Sequence, residues 1–211
     1  AVDAGSYYTN DQEIQAAVNN MYSGLQGVND TRSESNHATQ VEYQVTEMRS
    51  DNTRTKSSEG EPAQFESFAV EATNGIVYDY YRYSYYTAKR ANTVLENLEA
   101  ASPEAIGKFE GEAKFVRAYT YFNLVRLWGP IPLVDRVIEI SDEDTQYTRV
   151  DVATVYNLII SDLQTAVANL DNSNYGRASK AAAEALLAKV YLTRGNYAEA
   201  RVLCESVMSN G

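Results

Sequence analysis

The chain has 211 residues, of which 44% are hydrophobic, and this is enough to bury one sizeable core, so we expect a single domain over 1–211. Its formal net charge of -11 and isoelectric point near 4.6 argue against a nucleic-acid partner, because that kind of binding depends on clustered Lys and Arg. No apolar run reaches the length of about eighteen residues that a membrane-spanning helix needs.

The first predicted element is an amphipathic helix over 9–25. Thr9 and Gln12 have the spacing of a capping box. Apolar residues then recur at the spacing of one helix face, as Ile14, Ala17, Val18, Met21, Tyr22 and Leu25. Residues 26–74 lose this periodicity and are predicted to form a long loop with a candidate strand at 41–45. An irregular segment of this length is typically a binding loop or a linker.

Helical periodicity returns over 75–100. One face of this helix is predicted to carry Tyr81, Tyr85, Ala88, Asn92 and Leu95. A further helix is predicted over 103–128, because Ser102 and Pro103 form a helix-start signal. Its second half is apolar on nearly every side, which is typical of a helix inside a domain. Gly129 and Pro130 are predicted to end it.

Three more helices are predicted after a second loop over 129–150. They span 151–170, 179–194 and 197–209, and each keeps apolar residues at i, i+3 and i+4. The last two are joined by Gly195 and Asn196 in the pattern of a tetratricopeptide hairpin. The sequence therefore predicts an all-α, mainly helical fold of about three helical pairs with long irregular loops.

The sequence offers no arrangement of residues for catalysis. His37 is the one histidine, and no second metal ligand or nucleophile stands at a useful spacing from it. Asp142, Glu143 and Asp144 lack the alternating oxygen ligands of a calcium loop. Cys204, the single cysteine, is predicted to be a small core residue on an apolar helix face. We therefore predict no enzyme activity, no metal and no cofactor.

Tyrosine is common, with 17 in the chain. Several fall close together on the helix over 75–100, at Tyr78, Tyr80, Tyr81, Tyr83, Tyr85 and Tyr86. Because a helix cannot bury all of these on one side, we expect one or two to face outward while the others pack in the core. An exposed tyrosine ring suits stacking on sugar rings or docking of peptide side chains.

Several blocks of the sequence together resemble the SusD/RagB family of surface glycan-binding lipoproteins. Three blocks occur in the family in the same order, GEAKFVRAYTYFNLVRLWGPIPLV (111–134), TRVDVATVYNLIISDLQTAVANL (148–170) and GRASKAAAEALLAKVYLTRGNYAEARVLCESVMSNG (176–211). Upstream, MRSDNT (48–53) and YSYYTAKRANTVLENL (83–98) are also similar, with Asn92 at a recurring asparagine of the family. The resemblance covers nearly the whole chain.

The resemblance implies a tetratricopeptide-like scaffold whose loops bind an oligosaccharide or polysaccharide at the cell surface. It also implies capture, without catalysis, for a SusC-type TonB-dependent outer-membrane transporter. Family members are typically more than twice this long and carry a signal peptide with a lipid-modified cysteine. We therefore interpret the chain as a mature N-terminal portion, attached to the outer membrane through an N-terminal lipid in the full-length protein.

The candidate ligand contacts lie on the loop over 46–62 and on the helix that follows it. They are Asp51, Asn52 and Arg54 on the loop and Tyr78 and Tyr81 on the helix. The loop residues are predicted to form hydrogen bonds with sugar hydroxyls, and the tyrosines are predicted to stack on sugar rings. Trp128 ends an apolar helix just before Gly129, so we interpret it as a packing residue rather than as a stacking residue.

Two alternatives stay open at the level of sequence. A tetratricopeptide adaptor that captures a peptide is the alternative function. Only 179–209 fits a repeat of about thirty-four residues, and the insertion at 129–150 interrupts the register, which favours glycan capture. The net acidity suits a neutral glycan, whereas Arg49, Arg54 and Lys56 would form a local basic patch for an anionic one.

Overall fold

The computed structural model describes residues 7–26, 38–55, 60–138 and 147–210. The helices in these ranges are α1 (Asp11–Gln26), α2 (Ala38–Thr46), α3 (Glu61–Glu66), α4 (Gly75–Glu96), α5 (Ile106–Trp128), α6 (Val152–Asn169), α7 (Lys180–Arg194) and α8 (Tyr197–Asn210). Two 3-10 turns (Glu47–Arg49 and Leu98–Ala100) and two short strands, β1 (Ile131–Pro132) and β2 (Arg149–Val150), complete them. The predicted mainly helical fold is confirmed.

The chain divides into two compact units. The larger unit comprises 1–21 and 87–211, and the smaller unit comprises 22–86. Across the described residues, no helix combines the length and apolar character that a membrane span requires. The expectation of one domain over 1–211 stays a prediction.

The larger unit is a series of packed helices. Helix α5 packs against α6, α6 against α7, and α7 against α8. As predicted, the second half of α5 is buried on nearly every side, with Val116, Tyr121 and Phe122 among its buried residues. Trp128 is half-buried at the end of this helix.

Glycines end two of these helices. Gly129 has a φ of +69° directly after α5. Gly195 adopts the left-handed conformation after α7, and its N–H donates to the carbonyl of Leu192 at 3.1 Å. This conformation costs glycine little because it has no Cβ, so the chain can reverse into α8. The predicted α7–α8 hairpin is confirmed.

Two predicted helix starts are wrong in detail. Asn10 caps α1, because its side-chain oxygen accepts from the N–H of Glu13 at 3.1 Å. The Glu13 carboxylate in turn accepts from the N–H and hydroxyl of Thr9. The capping pair is therefore Asn10 and Glu13, one residue later than the predicted Thr9 and Gln12. Helix α5 begins at Ile106, and Ser102 donates its N–H and hydroxyl to the Asp11 carboxylate.

The loop predicted over 129–150 has structure at both ends. Ile131 of β1 pairs with Val150 of β2 in an antiparallel register. The Tyr121 hydroxyl donates to the carbonyl of Val134 at 2.8 Å and accepts from its N–H at 2.9 Å. Glu96 accepts from the N–H of Val137 at 2.6 Å. The segment after β1 is therefore fixed against α4 and α5. The acidic residues 142–144 lie outside the described residues.

A buried polar network centred on Arg117 joins this segment to three helices. The Arg117 guanidinium binds both oxygens of Asp162 on α6, at 2.7 and 2.8 Å. It also donates to Asn92 Oδ1 on α4 and to the carbonyl of Asp135, each at 2.9 Å. The Asn92 amide donates to the carbonyls of Val134 and Arg136 at 2.9 and 3.0 Å. We call these residues the Arg117 network.

The Arg117 network is almost closed to solvent. The exposed fractions of Arg117 and Asp162 are 6% and 2%. Burial raises the pKa of the Asp162 carboxyl above its ordinary value, against two opposing hydrogen bonds from Arg117. The recurring family asparagine, Asn92, thus has a structural role here, since both ends of its amide are bonded within the network.

Cys204 is not the core residue that its apolar neighbours predict. It is exposed on α8. The same hairpin also exposes large apolar side chains, namely Leu192, Tyr197, Val202 and Met208. The buried positions of α8 include Ala200 instead.

The smaller unit corrects the prediction of an unstructured loop over 26–74. It contains α2, the 3-10 turn Glu47–Arg49 and α3, which pack on one another. The candidate strand at 41–45 is part of α2, and the strand prediction is wrong. Val41 and Val45 are both buried and lie one helical turn apart, whereas Tyr43 between them is exposed.

The buried face of α4 differs from the face that the sequence pattern lines up. Its buried residues are Tyr80, Tyr83, Ser84, Thr87, Ala88, Ala91, Asn92 and Val94. Of the five residues predicted along one face, Ala88 and Asn92 are buried, while Tyr81, Tyr85 and Leu95 are half-buried.

Candidate ligand-binding site

The loop that carries Asp51 and Asn52 is fastened at both ends. At its start, the Thr53 hydroxyl donates to the carbonyl of Glu47 at 2.5 Å. At its end, the N–H and hydroxyl of Thr55 donate to one oxygen of Glu66 on α3, at 2.7 and 2.6 Å. Asp51 and Asn52 form an exposed turn between Glu47 and Thr53, the two residues that the first of these bonds joins.

Arg54 lies on the same loop with a side chain that is 88% exposed. Its Nη1 is 3.3 Å from the second Glu66 oxygen. An ion pair this exposed contributes little to folding, because both charges stay well solvated. Arg54 can therefore turn toward a ligand at small cost.

Protonation of Glu66 is expected to loosen the loop. The hydrogen bonds from Thr55 hold the pKa of Glu66 below its ordinary value. A carboxyl with a lowered pKa contributes stability that is present above its unfolded pKa and is lost as the pH falls through the folded one. A carboxyl-carbon NMR titration of the protein should therefore give a midpoint for Glu66 below that of an ordinary, solvated glutamate.

Thr55→Val is the matched variant for this titration. It removes the hydroxyl donor and retains the backbone donor, so the Glu66 midpoint should rise toward its ordinary value. An unchanged midpoint in the variant would mean that the Thr55 hydroxyl does not hold this carboxylate.

The start of α4 is tied to α3. The Asn74 side-chain oxygen caps α4 by accepting from the N–H groups of Ile76 and Val77 at 3.0 and 3.2 Å. The Asn74 amide donates to Gln64 Oε1 at 2.8 Å, and Glu61 accepts from the N–H of Gly75 at 2.7 Å. Helix α3 thus holds both the loop and the first turn of α4.

The tyrosines of α4 face in several directions, as expected. Tyr78 is 61% exposed, and the Arg82 guanidinium lies 5.5 Å from its ring centroid. Tyr81 is half-buried, with its ring centroid 4.9 Å from that of Tyr85. Tyr86 is also exposed. Of the two predicted stacking residues, Tyr78 therefore offers more open ring surface than Tyr81.

The described contacts do not join the three predicted loop residues to the two predicted tyrosines. Arg54 contacts Glu66, and Tyr78 contacts Arg82. Both groups belong to the smaller unit. Helix α3 contacts the loop through Glu66 and the first turn of α4 through Glu61.

Sequence reasoning missed one exposed aromatic beside this loop. Phe68 follows α3, and its side chain is 66% exposed. The Arg49 guanidinium lies 5.6 Å from its ring centroid. Phe68 opens the short apolar run FAV (68–70) in a segment where the sequence predicts neither helix nor strand, so no pattern in the sequence singles it out.

No group of three or more His, Cys, Asp and Glu side chains that could hold a metal ion occurs in the described parts of the chain. His37 lies outside them.

Comparison with known proteins gives concordant matches. A SusD-like family model, described as starch-binding and associating with the outer membrane, matches residues 3–192. The SusD-like protein P2 of Formosa agariphila is 32% identical over 159 residues, which are 74% of this chain and 32% of that protein.

Solved structures match over almost the whole chain. A SusD-like protein from Bacteroides fragilis has a TM-score of 0.82 and 25% identity, with 100% of this chain and 40% of that one covered. A structure described as a laminarin-binding SusD-like protein has a TM-score of 0.76 and 27% identity, with 95% of this chain and 44% of that one covered.

The helical scaffold with its fastened loop thus has the fold of a class of proteins that includes carbohydrate binders. The chain belongs to the SusD-like family, and the resemblance seen in the sequence is confirmed. The chain spans about a third of the Formosa relative and less than half of these two solved structures.

Proposed function

We propose that the protein is a non-catalytic subunit that binds an oligosaccharide at the cell surface for uptake. The observation that carries this proposal is the family match over 3–192, whose description joins starch binding to the outer membrane. The laminarin-binding relative, which shares the fold over 95% of this chain, supports it.

The proposed contacts within the chain are Asp51, Asn52, Arg54, Tyr78 and Tyr81. Within the described residues, the side chains of Asp51 and Asn52 are exposed and make no hydrogen bond, so they are available to sugar hydroxyls. Tyr78 offers an exposed ring for the apolar face of a sugar.

We propose a neutral glycan as the ligand. Arg54 is paired with Glu66, and Arg49 lies over Phe68, so neither is an isolated cation. The carboxylates of Glu47, Asp51, Glu61 and Glu66 surround these two arginines in the sequence. An anionic polysaccharide would meet repulsion from this region and from the net charge of -11.

The proposed partner is a SusC-type TonB-dependent transporter, and the proposed location is the outer membrane, with attachment through an N-terminal lipid. The family description of association with the outer membrane supports the location. Co-purification of the whole protein with such a transporter from outer membranes tests the partnership, and its absence would remove it.

Tyr78→Ala is expected to weaken glycan binding by about ten-fold in the whole protein, which corresponds to loss of one stacked ring at about 1.4 kcal/mol. Arg54→Ala and Tyr81→Ala are expected to have smaller effects, because a solvated Arg54 side chain gains little from one more hydrogen bond and Tyr81 is half-buried. Retardation in native gels that contain plant, algal and host polysaccharides measures the affinity.

Tyr147→Ala is the matched control, since Tyr147 is as exposed as Tyr78, at 62%, but belongs to the larger unit. It should bind as the unsubstituted protein does. Equal binding by all three site variants would remove these residues from the site. Free migration of the whole protein through every glycan, with binding to a peptide library, would replace glycan capture with peptide capture.

A further inference from the structure

Helix α3 ends in a motif that normally carries glycine. The N–H of Ala69 donates to the carbonyl of Gln64 at 3.0 Å, and the N–H of Phe68 donates to the carbonyl of Phe65 at 3.2 Å. These two bonds define a Schellman motif, in which the residue after the C-cap is left-handed and is usually Gly. Phe68 occupies that position with a φ of +55°.

A phenylalanine in this conformation is unfavourable for the fold. The left-handed conformation brings Cβ close to the following carbonyl oxygen, and glycine avoids this contact. Among the described residues, Phe68 is the one non-glycine residue with a positive φ. Such backbone strain persists where the surrounding structure holds it in place, and it is most common at functional sites.

Burial of the ring does not compensate for this strain. The Phe68 side chain is 66% exposed, and the neighbouring Val70 is exposed as well. In contrast, Phe65 one turn earlier is buried and supplies the apolar anchor of α3. The ring of Phe68 is therefore presented to solvent rather than packed in the core.

One face of the Phe68 ring is in contact with Arg49. The Arg49 guanidinium lies over it at 5.6 Å from the centroid, and Arg49 belongs to the 3-10 turn that leads into the Asp51–Asn52 turn. Because most of the side chain stays exposed, the opposite face is open to a ligand. Helix α2, the 3-10 turn and α3 pack on one another. Together they carry both the hydrogen-bonding side chains of the loop and the open face of the Phe68 ring.

We propose that Phe68 is a stacking platform for a sugar ring of the bound glycan, and that Arg49 holds the platform in place. This inference rests on the proposed glycan binding. An aromatic ring with nearby hydrogen-bonding side chains matches the two-sided chemistry of a sugar, which has an apolar face and a rim of hydroxyls. The apolar surface of Phe68 and Val70 is far smaller than a stable protein interface requires.

Phe68→Gly separates a ligand role from a structural one. Glycine relieves the backbone strain, so the variant should have the same Tm as the unsubstituted protein or a higher one. It also removes the ring, so the affinity for the glycan that retards the whole protein in native gels should fall by about ten-fold. Phe68→Trp keeps a stacking ring and should retain binding.

Three other results would contradict the Phe68 platform, and the third of them would contradict the proposed function as well. Undiminished glycan binding by Phe68→Gly would overturn the platform and leave the proposed function intact. A lower Tm in Phe68→Gly together with lost binding in Phe68→Trp would assign Phe68 to the fold and also overturn the platform. Failure of the unsubstituted whole protein to bind any glycan would overturn the proposed function and the platform with it.

Discussion

Arg117→Met is expected to lower the free energy of unfolding by about 3–5 kcal/mol, because it leaves the Asp162 carboxylate buried without its partner. Methionine fills much of the arginine volume, so little of the loss comes from a cavity. The variant also leaves the Asn92 side-chain oxygen and the Asp135 carbonyl without this donor. Urea denaturation followed by circular dichroism measures the change.

The stability that Arg117→Met loses should depend on pH. Without Arg117, burial raises the pKa of Asp162 further, and the folded variant takes up a proton more readily than the unfolded chain. A raised carboxyl pKa gives stability that is present below the unfolded pKa and is lost as the pH rises through the folded one. The variant should therefore lose less stability at pH 5 than at pH 8, relative to the unsubstituted protein.

The double variant Arg117→Met with Asp162→Leu is the control. Replacing both charges with apolar groups removes the buried carboxylate, so the double variant should recover part of the stability that Arg117→Met loses. A single-variant loss below about 1 kcal/mol, or a double variant no more stable than Arg117→Met, would show that the pair does not act as a buried unit.

Gly111→Ala is expected to lower the free energy of unfolding by about 1–2 kcal/mol. A Cβ on Gly111 would lie 2.9 Å from Leu170 Cγ and 3.2 Å from Asn169 Cβ, so α5 and the end of α6 would have to move apart. Overpacking of this kind costs about 1–3 kcal/mol, and alanine regains about 0.5–1 kcal/mol in a helix. Thermal and urea unfolding measure the net effect.

Gly107→Ala is the matched control on the same helix. Its Cβ would meet only Asn169 Cγ, at an ordinary 3.9 Å, so the helix-forming preference of alanine should leave stability unchanged or raise it. If both variants behaved alike, close approach at Gly111 would not be a constraint.

Much of the helical scaffold could be predicted because its signals are local. The apolar character of α5, the Gly129-Pro130 stop and the Gly195 turn can each be seen within a few residues of sequence. The candidate strand at 41–45 failed because Val41, Tyr43 and Val45 fit a period of two, while Val41 and Val45 also fit one helical turn. Only packing decides between these patterns.

The remaining features depend on distant contacts or on backbone conformation. Arg117 and Asp162 are 45 residues apart, so no local pattern pairs them. Ser102 has the residue type of a helix cap, but Asp11, 91 residues away, takes both of its donors. The position of Asp51, Asn52 and Arg54 on a loop could be anticipated from composition, whereas the bonds that fasten this loop and the strained Phe68 could not.

The pairing of β1 with β2 has a consequence for how the chain tolerates added length between the two strands. Because β1 pairs with β2 and the N–H of Val137 donates to Glu96, the chain is held at Val137 and again at Arg149. Doubling the length of a loop between fixed ends costs only about 0.6 kcal/mol. An epitope tag inserted between Val137 and Arg149 is therefore expected to leave the helices α4, α5 and α6 folded.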